Sequence, residues 1–310
     1  MVFTYSRPEH TLKVLEALAA NTLAPDTDVY AYTCSPGKPS HVEAVEATKS
    51  VLKKFENGPF HSYTIVDKPE FRPLAPAMIE AVTEVINKHG RIIVVEDDLV
   101  SSPHFLEYMN GCLDAYEHSD NVFTVAGFSP SLKSLDRIEG DVYLVHRVCP
   151  WGWGTWKDRW DLVDWNLKDY DMMDRKLRRD LGRWNPDLPM MLENLSVKKG
   201  SKNADWEPQI GLRQFRTGMG TVLPRKSLIR NIGFDGSGTH DVPEDMGETF
   251  DTETSQWAMP HLEFDEDLQK EYNRLFVFDR RTKIMLPLSG IVHSISPSLY
   301  YKLLGRYYGS

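Results

Sequence analysis

Apolar positions in the first third of the chain switch repeatedly between two periods. The runs "MVFTY", "DVYAYT", "FHSYTIV" and "RIIVVE" are short and rich in β-branched and aromatic residues, and they read as strands. Between them the period becomes helical. "SRPEHTLKVLEALAAN" places Leu12, Leu15, Leu18 and Ala19 on one face, "HVEAVEATKSVLKKF" turns Val42, Val45, Leu52 and Phe55 inward, and residues 75–88 do the same with Met78, Val82, Val85 and Ile86. Ser6 and Glu9 have the spacing of a capping box, with Pro8 tolerated in the first turn. Ile92–Val95 is apolar throughout, as a strand covered on both faces must be. Repeated βα units of this length predict an α/β fold: a doubly wound, mostly parallel central sheet flanked by helices.

The pattern changes after about residue 130. Seven of the eight tryptophans fall between Trp151 and Trp206, and helix and strand signals no longer alternate regularly. A mixed subregion is expected there, with short strands near Tyr143 and Val222. The predicted organisation is one domain over 1–240, with halves of about 1–130 and 131–240, followed by an extension over 241–310. The extension opens with the acidic, loop-like "DVPEDMGETFDTETSQ" and ends in "LYYKLLGRYYGS".

Charge narrows the field. The net charge of −9 is spread over interspersed acids and bases, which excludes nucleic acid as the main partner. Cys34, Cys112 and Cys149 are few and far apart, which fits a reducing, cytoplasmic setting better than a disulfide framework or zinc site. No apolar run reaches the roughly 18 residues of a membrane span, and "MVFTY" begins too early for a signal peptide. The aromatic and basic residues of the tail, among them Tyr300, Lys302, Arg306 and Tyr307, suit peripheral contact with a membrane interface. A terminal helix packed on the domain is the alternative.

Three carboxylates, Glu96, Asp97 and Asp98, follow the buried strand directly. Ligands of open α/β sheets bind beyond the carboxyl ends of the strands. Capping of the next helix would explain the acids, but Ser102 before Pro103 offers that helix a better start. The second explanation is a hard divalent cation, Mn2+ or Mg2+, which takes one or two carboxylates and completes its shell with water and phosphate oxygens.

The stretch "VVEDDLVSSPHFLEYM" resembles the metal-binding segment of nucleotide-sugar glycosyltransferases with the GT-A fold. Other strings fall in that family's order: "TYSRPEHT", then "VFTVAGFSPS", "CPWGWGTW", "ADWEP" and "LPRKSLIRNIGFDGSGTH". The chain is most similar to bacterial enzymes that build surface polysaccharides and to the Golgi N-acetylglucosaminyltransferases that initiate complex N-glycans. The resemblance covers about residues 1–240. It implies a metal-dependent, inverting transfer of a sugar, N-acetylglucosamine as first expectation, from a UDP-sugar donor to a glycan or lipid-linked glycan acceptor. It also implies that Asp98 is the direct metal ligand, that Glu96 and Asp97 contact ribose and sugar hydroxyls, and that Arg7 contacts the nucleotide. Ser237 lies in the loop that closes over the diphosphate. Asp205 matches the general base, with Glu207 two residues on as the alternative. After the second strand, where the Golgi enzyme reads uracil with an acid, this chain has "TCSPG".

The remaining signals divide. Trp156 and Trp160 read as core, whereas Trp151 and Trp153 are candidates to line the acceptor or sugar site, with Gly152 and Gly154 allowing close approach of the backbone. His240 ends a glycine-rich loop and is a candidate for the diphosphate or the metal. Arg225, Lys226 and Arg230 either form a solvated face or support the diphosphate charge. Three rival classes remain: a nucleotidyltransferase, which would want a glycine-rich loop after the first strand; a metal-dependent hydrolase; and a non-catalytic carbohydrate-binding protein, which would have no need of Asp98.

Overall fold

The structure, a computed structural model, describes residues 1–197, 205–235 and 249–276. Its first part follows the βα alternation of the sequence. β1 (Val2–Phe3) leads to α1 (Pro8–Ala19), β2 (Asp28–Cys34) to α2 (Val42–Lys53), and β3 (Ser62–Lys68) to α3 (Leu74–His89). β4 (Arg91–Glu96) ends at the acids and is followed by β5 (Leu99–Ser101) and α4 (Phe105–Ala115). Then come β6 (Val122–Ala126), β7 (Val142–Val145), β8 (Trp153–Trp156), α5 (Lys157–Trp160) and α6 (Lys168–Asp171). α7 (Arg175–Trp184), α8 (Leu188–Val197), α9 (Glu207–Thr217), β9 (Gly220–Pro224), β10 (Ile229–Asn231) and α10 (Glu266–Arg274) complete the described chain.

Among the described residues the main sheet has eight strands in the order β3-β2-β1-β4-β8-β6-β9-β7. From β3 to β4 every pairing is parallel, as crossover helices require. Beyond β4 the sheet is mixed: β8 runs antiparallel to both β4 and β6, β6 is parallel to β9, and β7 is antiparallel to β9. The parallel part coincides with the regular βα pattern and the mixed part with the tryptophan-rich stretch. β1 lies between β2 and β4, so the winding direction reverses there, and such a switch point opens a crevice at the carboxyl ends of the two strands. β5 pairs instead with β10, antiparallel, in a two-stranded ladder over that crevice.

Several local expectations are corrected. Arg7, not Ser6, is the N-cap residue of α1, and no side chain caps that end. α4 begins at Phe105 rather than at Pro103, and its cap comes from α1's exit, where Asn21 Oδ1 accepts from Leu106 N at 2.9 Å. The Ser102 hydroxyl is buried without a partner. Val42 is exposed rather than inward, because α2 turns Val45, Thr48, Val51 and Leu52 to the sheet. β8, "WGTW", had no strand signature because all four of its residues are buried and no polar–apolar alternation survives.

The main core lines both faces of the sheet and includes Leu262, Leu268 and Tyr272 of the chain beyond 249. A smaller core forms between α6, α7, α8 and α9 from residues such as Leu167, Tyr170, Leu181, Leu192 and Leu212. Trp153 belongs to the main core. It is fully buried and stacks between Trp206 at 4.8 Å and Trp160 at 6.0 Å. Trp153→Ala should therefore lower unfolding free energy by about 3–5 kcal/mol, the usual cost of deleting a buried aromatic ring. Trp151→Ala, removing a half-buried ring, should cost clearly less. Urea midpoints of the two variants check this.

Candidate functional site

Neighbouring parallel strands end on the same side of a sheet, and in the β1–β4 pair Phe3 is registered with Glu96. The residues that follow each strand are therefore brought together. Tyr5 N donates to Asp97 Oδ2 at 3.4 Å. The Arg7 guanidinium spans both aspartates: Nη2 donates to Asp97 Oδ1, and Nη1 lies 3.0 Å from Asp98 Oδ2. Asp97 is buried, whereas Asp98 is half-buried and faces the crevice.

The β5–β10 ladder covers the same spot. Ile232 N donates to the Asp98 carbonyl at 2.8 Å, which carries the chain on to Gly233. A Cβ on Gly233 would collide with Asp98 Oδ2 and lie 3.1 Å from Arg7 Nη1. Glycine is needed here for close approach of backbone to a carboxylate. Beneath this segment His10 Nε2 lies 3.2 Å from the Ile232 carbonyl oxygen and 3.2 Å from Asp235 Oδ2.

Negative charge is in excess. Burial pushes Glu96 up to about 8, with Asp98, Glu207 and Asp97 adding to the effect and Arg7 opposing it. Burial also raises Asp97, again against Arg7. For Arg7 itself burial works against the charge, and Asp97 and Asp98 outweigh it. Glu207 is the first residue of α9, where the helix N-terminus favours an anion. Burial nevertheless raises its pKa to about 7, helped by Asp205 and Asp187 and opposed by Arg147. Arg147 is held by Asp187, with Asn185 Oδ1 3.4 Å from the same nitrogen, and its guanidinium lies 3.9 Å from the Phe276 ring centroid.

The donor set fits a hard divalent cation of the kind that takes few protein ligands. Asp98 offers carboxylate oxygen at the edge of the crevice, and the acidic neighbours that add to the burial of Glu96 are charges a nearby cation would offset. Among the described residues no three His, Cys, Asp or Glu side chains form a cage that could hold a metal unaided. Phosphate and water oxygens would have to complete the shell.

Arg7, Glu96, Asp97 and Asp98 thus come together, and Glu207 is close enough to shift Glu96. Asp205 is exposed beside Glu207. Trp151 is half-buried, with its ring 4.4 Å from Phe128 and 5.9 Å from Phe234, the residue after Gly233. Trp153 does not line a site, because the β8 ladder opposite Val94 directs it into the core. Gly152 and Gly154 serve packing rather than ligand approach: their Cβ positions are closed by Ile229 and by the Ile92 carbonyl oxygen. Lys226 lies 3.9 Å from Asp251 Oδ2, and Arg230 lies over the Phe250 ring. Ser237, His240 and the tail from 277 lie outside the described residues. Among the described residues no helix is long and apolar enough to cross a membrane.

Two features had no sequence signal. Arg147 and Asp187 are separated by a short strand, a tryptophan-rich segment and three helices, so nothing in the pattern links them. Tyr5 anchors a small aromatic group beyond β1: its hydroxyl lies 2.9 Å from His41 Nδ1 and accepts from Gly37 N at 2.8 Å, with Phe71 packed at 5.7 Å. This group adjoins the "SPG" turn after β2.

No protein-family model matches the chain, and no curated protein matches it in sequence. Among solved structures, Staphylococcus aureus TarS 1–349 aligns at a TM-score of 0.44 and 12% identity, covering 75% of this chain and 59% of that one. The chain therefore spans less than two thirds of that TarS fragment. UDP-glucose pyrophosphorylase complexed with UDP-glucose aligns at a TM-score of 0.34 and 8% identity, covering 72% of this chain and 89% of that one. A protein described as a nucleotide-diphospho-sugar transferase from Desulfovibrio desulfuricans G20 aligns at 0.31 and 13%, covering 70% and 96%. These likenesses are too distant to carry a reaction class, and the functional case rests on the site itself.

The raised carboxyls predict an inverted pH dependence. Glu96 and Glu207, ordinarily near 4.5, stay protonated in the folded chain to about 8 and about 7. Between those limits the unfolded chain binds fewer protons than the folded one, so these two groups make stability fall as pH rises. Urea midpoints from pH 4.5 to 8 should decline more steeply in the wild type than in Glu96→Gln/Glu207→Gln. Equal slopes would show that neither group is perturbed.

Proposed function

We propose that the chain is a GT-A-type, metal-dependent, inverting glycosyltransferase that moves a sugar from a UDP-sugar to a glycan or lipid-linked glycan acceptor. N-acetylglucosamine is the first candidate for the sugar. The observation that carries this reading is the pairing of Arg7 with Asp98 at the carboxyl ends of β1 and β4, with Glu207, poised near 7, within electrostatic reach of Glu96. It supplies a place for a diphosphate and a separate carboxylate suited to proton transfer.

In this scheme Asp98 is the protein ligand for Mn2+ or Mg2+, with Glu96 and Asp97 behind it and Arg7 facing the diphosphate. The bound cation would stabilise negative charge on the leaving diphosphate. The acceptor hydroxyl oxygen bonds to the anomeric carbon as the bond from that carbon to phosphate breaks and its electron pair leaves with UDP. The hydroxyl proton passes to Glu207. Displacement in one step by one base inverts the anomeric centre, through an oxocarbenium-like state. We assign the base to Glu207 rather than Asp205 because its pKa lies near working pH and its charge reaches Glu96, whereas Asp205 is exposed. Trp151, beside Phe234, remains the candidate to line the sugar or acceptor. A nucleotidyltransferase fits less well, since Thr4–Arg7 contains no glycine to cradle a triphosphate.

Two experiments test this. Asp98→Asn should fold normally and lose manganese-dependent binding of UDP in calorimetric titration; unchanged affinity would remove Asp98 from the metal site. Glu207→Gln should keep donor binding and lose transfer by about 10²–10⁴-fold. Wild-type turnover should rise through an apparent pKa of about 7, because the base acts deprotonated. A large loss in Asp205→Asn with Glu207→Gln nearly unimpaired would move the base back two residues.

A further inference from the structure

Arg7 occupies a position that the proposed donor complex must disturb. Its Nη1 lies 3.0 Å from Asp98 Oδ2, an oxygen of the carboxylate that the proposed mechanism gives to a divalent cation. Gly233 packs against both groups so closely that no side chain fits between. A guanidinium and a divalent cation on one carboxylate oxygen would repel strongly at such spacing.

The two halves of the guanidinium are held unequally. Nη2 is bound to Asp97, whose side chain is 6% exposed and whose second oxygen accepts from Tyr5 N. Asp98 is 18% exposed and lies toward the crevice. The planar fork of an arginine lets one nitrogen exchange partners while the other stays in place. Asp97 is then the anchor, and the bond to Asp98 is the one free to exchange.

Resting on the metal-dependent reading above, we propose that Arg7 is an exchangeable counter-ion. Without nucleotide it neutralises Asp97 and Asp98 together. When a nucleoside diphosphate enters, Nη1 passes to a phosphate oxygen, Nη2 stays on Asp97, and Asp98 is released to the cation. Arg7 therefore couples metal binding to diphosphate binding, and suppresses metal binding when the crevice holds no nucleotide.

The test is direct manganese binding to the full chain, read from the free Mn2+ electron paramagnetic resonance signal, with and without UDP. In the absence of UDP, Arg7→Gln should bind Mn2+ at least about fivefold more tightly than wild type, the lower end of common coupling factors. Addition of UDP should improve manganese affinity less in this variant than in wild type. Arg7→Lys, which keeps the charge, should retain weak binding without UDP. The double variant Arg7→Gln/Asp97→Asn removes both buried charges, guards against a folding defect, and should show the same gain. If both glutamine variants bind Mn2+ no more tightly than wild type in the absence of UDP, while UDP-dependent binding persists in wild type, the counter-ion role is overturned and the metal assignment stands. If neither wild type nor variants bind Mn2+ with or without UDP, both fail together.

Discussion

Because β1 and β4 are adjacent and parallel, they deliver Arg7 and the Glu96–Asp98 run to one place, where the guanidinium grips Asp97 and Asp98. Burying charge is costly unless the charge is paired and hydrogen-bonded. Asp97 meets both conditions, through Arg7 and Tyr5 N. Among the described residues Glu96 has no such partner of its own, and burial with its acidic neighbours leaves it protonated to about 8. The crevice thus carries more carboxylate than its one arginine balances. A cation or a proton must make up the difference, and the Arg7 side chain decides which carboxylate is open to it.

Glu207 comes within electrostatic reach of Glu96 by a different route. It opens α9, a helix of the smaller core, and Pro208 follows it. The same core brings Asp187, between α7 and α8, against Arg147, two residues beyond β7. For Arg147 burial works against the charge, and Asp187, then Tyr272 and Glu207, outweigh it. The arginine keeps Glu207 from rising further, so its pKa stays near 7. The two carboxylates have different cations: Arg7 pairs with Asp98, and Arg147 opposes the rise of Glu207.

The parallel half of the sheet was legible because its signal is local. Each strand there is one apolar run and each helix one amphipathic stripe, so periodicity alone orders β1 to β4 and places the acids at a strand end. β8 was not legible, since a strand buried on both faces loses its alternation, and Trp151 and Trp153 cannot be sorted by type. Their fates are decided by the ladder, which sets Trp153 opposite Val94. Helix starts failed for a related reason. Ser102 has the right side chain for a cap, but Asn21, distant in sequence, is nearer to the α4 N–H groups. Arg147 and Asp187 meet only because the smaller core docks on the sheet. The choice between Asp205 and Glu207 likewise turns on which one the α9 N-terminus points inward.

The tryptophan-rich segment and the candidate site are joined by packing rather than by shared chemistry. Gly152 has φ +62° and no Cβ, and the side chain of Ile229 from β10 fills the space beside it with Phe105. Ile229 begins the ladder with Ser101 that sets the register of Asn231 on Leu99. One residue later Ile232 N holds the Asp98 carbonyl, and Gly233 presses on its carboxylate and on Arg7. A side chain at Gly152 would push first on Ile229, and β10 carries such a displacement toward Asp98. Close-packed interiors transmit such strain. Gly152 of "PWGWGTW" therefore helps to fix the height at which β10 lies over the carboxylates.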